Sequence, residues 1–407
     1  MRRPIVRYLI GFSLAFLNAC EGSSAHNVTL GSIDSLASPA GPGSGEPNLA
    51  AGADGRVFLS WLEPLGDSAH ALRFARLEGD RWSTPRTITQ RPDLFVNWAD
   101  FPSVVPLAGR RLAAHWLQRS GKEKYAYDVR VSQSSDNGET WSTPVIPHRD
   151  GTATEHGFVS LFPFRDSLGA IWLDGRNFSR ATKGTKPNMM LVMTSIAANG
   201  ATGPEHVLDE RVCDCCQTSL ALASAGPVLV YRDRLAGEIR DISVARWSGS
   251  AWTEGKVVHS DGWKIDFCPV NGPAIDAAGE RVAVAWFTSA GDTARVYLAL
   301  SADGAATFGS PTRVDDGRPV GRVAVQLTDR GTAVSWMEFT SGQQADVRVR
   351  YIGADGVPSP STVVAHSTGV RASGFPRMIA ADDALVFAWT EAATPARVRT
   401  ARMRLSR

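Results

Sequence analysis

Short apolar runs ending in an aromatic recur along the chain, each followed by polar residues and then by a second run in which apolar and polar positions alternate. They read VFLSW to Trp61, LAAHW to Trp116, LGAIW to Trp172, VLVY to Tyr231, VAVAW to Trp286, TAVSW to Trp336 and LVFAW to Trp389. Successive aromatics stand 55, 56, 59, 55, 50 and 53 residues apart, close to the roughly 40–50-residue period of four-stranded propeller blades. Alternation with a period of two turns successive side chains to opposite faces, as in strands packed between neighbouring sheets. The first unit parses into an inner strand over 47–51, a second over 57–63, a third over 72–77 and an outer one over 82–89, with Ala53-Asp54-Gly55 and Glu78-Gly79-Asp80 as turns.

These units predict an all-β, seven-bladed β-propeller over 46–407, with an open or six-bladed ring as the alternative. A sandwich does not demand seven even units, and a β-helix has much shorter coils. The last unit, after Phe375, holds only three strands before the chain ends. His26 to Ile33 is expected to supply the missing outer strand, closing the ring and leaving no blade edge unpaired. The recurring tryptophans are then core, filling the space between blades.

The first residues follow another pattern. Arg2, Arg3 and Arg7 precede the apolar run Tyr8 to Leu17, too short to span a bilayer and read as a signal peptide over 1–19. The run ends at Leu17-Asn18-Ala19-Cys20, which resembles a bacterial lipobox with Asn18 an unusual member; a plain secretory signal is the alternative. The expectation is an envelope protein anchored to a membrane by lipid on Cys20, periplasmic or surface-exposed, with residues 20–45 as tether and closing strand. A formal net charge of +2 gives no reason to expect nucleic acid, and a monomer is expected.

Ser134-Ser135-Asp136-Asn137-Gly138-Glu139-Thr140-Trp141 resembles the Asp-box of sialidases and related propellers, and Ser301 to Phe308 a degraded copy with Ala305 and Phe308 at the Gly and Trp positions. The pattern is a turn staple: Asp136 bonds backbone N–H groups, Gly138 allows a positive φ, and Trp141 packs between sheets, with Ser134 and Thr140 completing the motif. The resemblance implies a sialidase-like propeller. Sialidases also carry an arginine triad, an acid/base Asp and a Tyr–Glu nucleophile pair; here the usual arginine motif before the first blades is absent, and Gly374 to Ala380 has no tyrosine.

In such a ring the starts of the inner strands and the links from second to third strand converge on one face, where ligand sites are expected. That face collects Asp100, Asp174 and Asp233 as candidate acids, and Arg176, Arg232, Arg234 and Arg371 as an anion clamp for a small-molecule or glycan ligand. Trp98 and Trp263 are candidates for stacking on a sugar ring. The acids serve either glycoside hydrolysis, which needs two facing carboxyls, or plain ion pairing; a protein-binding scaffold in the envelope is the further alternative to a ligand-binding or hydrolytic propeller. Cys213, Cys215, Cys216 and Cys268 leave two readings open. Export favours disulfides; clustered thiolates with His156 suit a copper or zinc ion. On a strand Cys213 and Cys215 face one way and Cys216 the other, so all three cannot meet Cys268 without a bulge. Met189, Met190 and Met193 lie on a predicted strand and read as core and surface residues rather than as copper ligands.

Overall fold

The computed structural model describes residues 29–182 and 187–406. The predicted leader and Cys20 lie outside the described residues. Seven antiparallel sheets form a ring, a seven-bladed β-propeller. Blade 1 runs through strands Gly45–Ala51, Val57–Leu65, Ala69–Glu78 and Arg86–Arg91, with the short pair Arg81–Trp82 off its third strand. The predicted outer strand over 82–89 therefore divides: the turn at Gly79, with φ 62°, folds Arg81–Trp82 back first, and the ladder resumes at Arg86. Blade 2 has three strands, Ser103–Pro106, Leu112–Arg119 and Tyr127–Ser134, and only Val145 pairs in its outer position. Blades 3 to 6 follow in chain order with inner strands His156–Phe164, Ser219–Ala223, Ala274–Ala278 and Pro319–Thr328.

Blade 7 joins the two ends of the chain. Its inner strands are Arg377–Ala381 and Ala384–Glu391, its third is Arg397–Ser406, and Thr29–Leu36 pairs with that third strand as the outer edge. Closure is by the N-terminal segment, as the three-strand last unit requires.

The recurring aromatics lie at the blade interfaces: Trp61, Trp172, Trp286 and Trp336 are at most 1% exposed. Three of them share a second feature. The indole N–H donates to the carboxylate two residues further on, Trp61 to Glu63 at 2.9 Å, Trp172 to Asp174 at 2.8 Å and Trp336 to Glu338 at 2.6 Å. Residues two apart on a strand share a face, and a buried indole N–H needs an acceptor. Met189 and Met193 are core, as expected, packed with Phe162 and Leu191.

The turn at Ser134 is held by its side chains. Ser134 Oγ donates to Asp136 Oδ1 at 2.7 Å and accepts from Gly138 N at 2.8 Å; Thr140 donates to Asp136 from N and Oγ1 at 3.0 and 2.6 Å. Gly138 has φ 81°, and Trp141 packs edge-on against Phe74. The turn at Ser301 repeats these bonds through Asp303 and Thr307. Among the described residues no helix is long and apolar enough to cross a membrane.

Candidate functional site

Along the propeller axis runs a cavity of about 810 Å³, lined by the inner strands and by Asp100, Phe101, His115, Gln217 and Arg377 near their starts. Gln217 ties this end together: its Nε2 donates to the Ala99 carbonyl at 2.6 Å and its Oε1 accepts from Gly272 N at 3.0 Å, joining the segments that enter blades 2, 4 and 5.

Asp100 is 2% exposed. Its Oδ1 accepts from Phe158 N at 2.8 Å, while Oδ2 lies 3.2 Å from Tyr127 Oη. The same phenol oxygen lies 2.8 Å from Glu155 Oε1. Burial pushes the Asp100 carboxyl up to about 8 and Glu155 up to about 7, with the charge of Asp214 adding to the latter. A phenol has one proton, and the shorter contact takes it to Glu155. The Asp100 contact is then a hydrogen bond only if Asp100 itself carries a proton on Oδ2, in keeping with its raised pKa. Phe95 stacks on Tyr127 at 4.0 Å, and a Cβ on Gly157 would lie 2.0 Å from Asp100 Oδ2, so glycine there is what admits the carboxyl.

Across the same wall, Arg377 gives both Nε (3.1 Å) and Nη2 (2.7 Å) to a single acceptor, Asn48 Oδ1, and lies over the Phe101 ring at 4.6 Å. Among the described residues no carboxylate pairs with it, and burial lowers its pKa to about 10. His115 is 1% exposed; its Nδ1 meets Ser103 Oγ at 2.9 Å and its Nε2 has no partner. Burial lowers its pKa to about 3, so the ring is neutral.

Of the acids expected from the sequence, Asp100 alone lies on this wall. Asp174 is fully buried, its oxygens taken by Trp172 Nε1 and by three donors of Arg176: N at 3.0 Å, Nε at 2.8 Å and Nη2 at 2.6 Å. It is the blade 3 copy of the tryptophan–acid pairing in blades 1 and 6, which leaves it no lone pair facing a substrate. Arg176 also pairs with Glu205 at 2.8 Å, and His156 Nε2 lies 3.8 Å from Asp174. Asp233 stands apart in blade 4, accepting from Ser243 Oγ at 2.8 Å and Arg234 N at 2.6 Å; burial and then the charge of Asp209 push it up to about 6.

The arginines expected to grip an anion are engaged elsewhere. Arg232, 1% exposed, donates to the backbone carbonyls of Asn271, Arg240 and Phe287. Arg234 pairs with Glu238 at 2.9 Å and Asp214 at 3.4 Å. Only Arg371 is exposed, its guanidinium 5.9 Å from the Trp98 ring centroid. That ring also stacks on Phe375 and carries Arg322 at 5.0 Å, while Trp263 is 6% exposed beneath Arg232. Trp263 is thus too buried to stack on a sugar, and Trp98 has Phe375 on one face.

The cysteines lie before the inner strands of blades 4 and 5 rather than on them, and they pair as Cys213–Cys216 and Cys215–Cys268, with Cα separations of 5.8 and 6.2 Å. Since Val212 ends the outer strand of blade 3 and Ser219 begins the inner strand of blade 4, strand alternation does not apply to residues 213–218, and the sulfurs are free to face different ways. Paired sulfurs carry no thiolate charge for copper or zinc. His156 does not join them; it lies among aspartates between blades 2 and 3.

Sequence reading passed over Tyr127, Arg377 and His115. Tyr127 opens a third strand and Arg377 an inner one, so the blade phase identifies their end of the strand but not which side chains meet there.

No family model matches the chain, and no curated protein matches it. Among solved structures it is similar to a protein of unknown function from Dyadobacter fermentans, with 12% identity and a TM-score of 0.47 over 93% of this chain and 99% of that one. It is also similar to a mutant NanB sialidase from Streptococcus pneumoniae, with 11% identity and a TM-score of 0.47 over 86% and 84%. A third likeness is to the α-L-arabinofuranosidase of Fusarium graminearum in complex with arabinobiose, with 12% identity and a TM-score of 0.49 over 93% and 98%. These likenesses concern the fold and assign no role to any residue here.

Proposed function

We propose that this propeller binds an acidic carbohydrate at the end of its axial cavity where Asp100 and Arg377 lie, as a sialidase-like protein of the bacterial envelope. One observation carries the reading: that wall holds a guanidinium with no carboxylate partner among the described residues. Arg377 has a lone amide oxygen, that of Asn48, for its Nε and Nη2. A guanidinium buried without a carboxylate is costly unless an anion reaches it, and a carboxylate on a sugar ring suits its fork geometry, with Phe101 alongside as an apolar face.

Calorimetry with oligogalacturonate and sialyllactose against their neutral counterparts tests it. Saturable binding of an acidic sugar, weakened about 10- to 100-fold by Arg377→Met as expected for losing a charge-assisted bond, supports the reading. Equal binding of the neutral sugars, or none of either, sinks it.

A second reading, hydrolysis of the bound glycan, is favoured by the proton shared around Tyr127. Asp100 would give its proton to the leaving oxygen as the glycosidic bond breaks, and the Glu155 carboxylate would take a proton from the water whose oxygen bonds to the anomeric carbon. Tyr127, fully buried, is a positioning residue. Release of chromophore from aryl glycosides, lost in Asp100→Asn, distinguishes a hydrolase from a binding protein. Envelope anchoring through Cys20 belongs to the same proposal, supported by the lipobox-like sequence; fatty-acid labelling lost in Cys20→Ser is its test. The turn at Ser134 is taken as an Asp-box on its bonding pattern.

A further inference from the structure

Among the described residues, three side chains of the Phe, Tyr and Trp type stand exposed: Tyr125 at 49%, Phe178 at 42% and Phe267 at 71%. All three belong to links on the face where the axial cavity begins at Asp100. Tyr125 lies between the second and third strands of blade 2, Phe178 in the matching link of blade 3, on the short helix Arg176–Ser179, and Phe267 in the link that enters blade 5. The other exposed large apolar side chains are aliphatic. We infer that the axial site receives one unit of an acidic polysaccharide and that neighbouring units of the same strand lie across this face on Tyr125, Phe178 and Phe267. The inference rests on the acidic-carbohydrate reading of the Arg377 wall and extends it from a single sugar to a chain.

The backbone brings these rings to the site. Tyr127 N donates to the Thr154 carbonyl at 3.1 Å and Gly175 N to the Glu155 carbonyl at 2.8 Å, so the links that carry Tyr125 and Phe178 meet at Thr154-Glu155. Glu155 is the carboxyl that shares Tyr127 Oη with Asp100. Phe267 approaches from the blade 5 side. Its neighbour Cys268 is bonded to Cys215, two residues before Gln217, whose Nε2 reaches the Ala99 carbonyl at 2.6 Å. A strand laid across the mouth from Phe267 toward Tyr125 and Phe178 therefore has Asp100 along its way.

Isolated rings suit sugars. The C–H groups on one face of a pyranose are weakly positive and the face of an aromatic ring is negative, so each ring can carry one sugar unit without help from its neighbours. A protein partner asks instead for a packed apolar centre, and among the described residues no aromatic ring packs on any of the three. Charge selects the acidic class. The links 120–126 and 175–182 hold Lys122, Lys124, Arg176 and Arg180 against Glu123 alone. Arg176 is taken by Asp174 and Glu205, but Lys122, Lys124 and Arg180 are exposed, and among the described residues no carboxylate pairs with them. Lys124 Nζ stands 5.1 Å from the Tyr125 ring centroid, so a cation accompanies that ring.

Calorimetry on the full chain with galacturonate, its trimer and its hexamer tests the inference. Affinity is expected to rise about 10-fold or more from monomer to hexamer as further units reach the rings. Each of Tyr125→Ala, Phe178→Ala and Phe267→Ala, which remove exposed rings without opening the core, is expected to cut the hexamer-to-monomer affinity ratio by roughly 3- to 10-fold. Arg377→Met should weaken both ligands and leave that ratio in place. A monomer that binds as tightly as the hexamer overturns the inference while the Arg377 reading stands. A hexamer that gains affinity yet is indifferent to all three replacements overturns it too, because its further units then lie elsewhere. Binding of neither monomer nor oligomer overturns both.

Discussion

Tyr127 Oη stands 2.8 Å from Glu155 Oε1 and gives that carboxylate its single proton, which leaves Asp100, 3.2 Å away on the other side, to supply a proton of its own. Both carboxyls have pKa values raised by burial, to about 8 and about 7. For such groups the folded state holds protons that the unfolded chain has already released. Their contribution to stability is therefore fully present below about pH 4 and is lost as pH rises through about 7 to 8.

Asp100→Asn removes one of these titrations while keeping a donor on the channel wall. Its stability relative to the wild type is expected to rise with pH from about 4 to about 8 and to level off above, by up to about tenfold in the folding equilibrium per pH unit. Urea unfolding of both proteins at several pH values checks this. A difference that does not vary with pH would show that Asp100 is ionised in the folded protein.

Gly157→Ala probes the same pair without altering a titrating group. The new Cβ would stand 2.0 Å from Asp100 Oδ2 and 2.9 Å from Tyr127 Cε2, closer than any packing allows, so the carboxyl must leave its place. Loss of acidic-sugar binding with an unchanged far-ultraviolet spectrum is the expected outcome; wild-type affinity would place the ligand elsewhere.

The ring was legible because burial between blades imposes a period, and the aromatic at each repeat marks it. Legibility of the site was uneven. Asp174 and Asp233 looked alike as acids at strand ends, yet Asp174 belongs to the series Trp61-Leu62-Glu63, Trp172-Leu173-Asp174 and Trp336-Met337-Glu338, and that repetition marks a structural acceptor. Arg232 looked like a ligand for anions because the chain gives no sign that three carbonyls from blades 4 and 5 surround it. Arg377 looked ordinary for the converse reason: what distinguishes it is that no carboxylate among the described residues pairs with it, which only three dimensions display. The cysteine pairing lay beyond reach because it depends on residues 213–218 leaving the strand.

Cys215 and Cys268 lie 53 positions apart and clip the entries of blades 4 and 5. Replacing both with serine is expected to cost about 2–4 kcal/mol, as typical for a disulfide. Cys213 and Cys216 close a much shorter loop, so the corresponding double replacement should lose less through chain entropy. Denaturant unfolding of the two double variants gives the order; the reverse order would mean that the buried pair supports packing beyond its loop.

Removal of residues 29–36 tests closure of the ring. This segment pairs with the last strand from Leu30 opposite Leu405 to Leu36 opposite Thr400, and the Leu36 carbonyl also accepts from Thr400 Oγ1 at 3.1 Å. Ile33 and Leu36 pack against the cores on either side of blade 7. Without it the strand Arg397–Ser406 becomes an edge with unpaired N–H and C=O groups, a template for association. The shortened chain should unfold at lower temperature and self-associate as its concentration rises, and a synthetic peptide of residues 29–36 added in excess should reverse both by mass action. The peptide separates two causes of failure: if the shortened chain is destabilised yet indifferent to it, the loss lies in the packing of residues 37–44 against blade 1 and not in the missing strand.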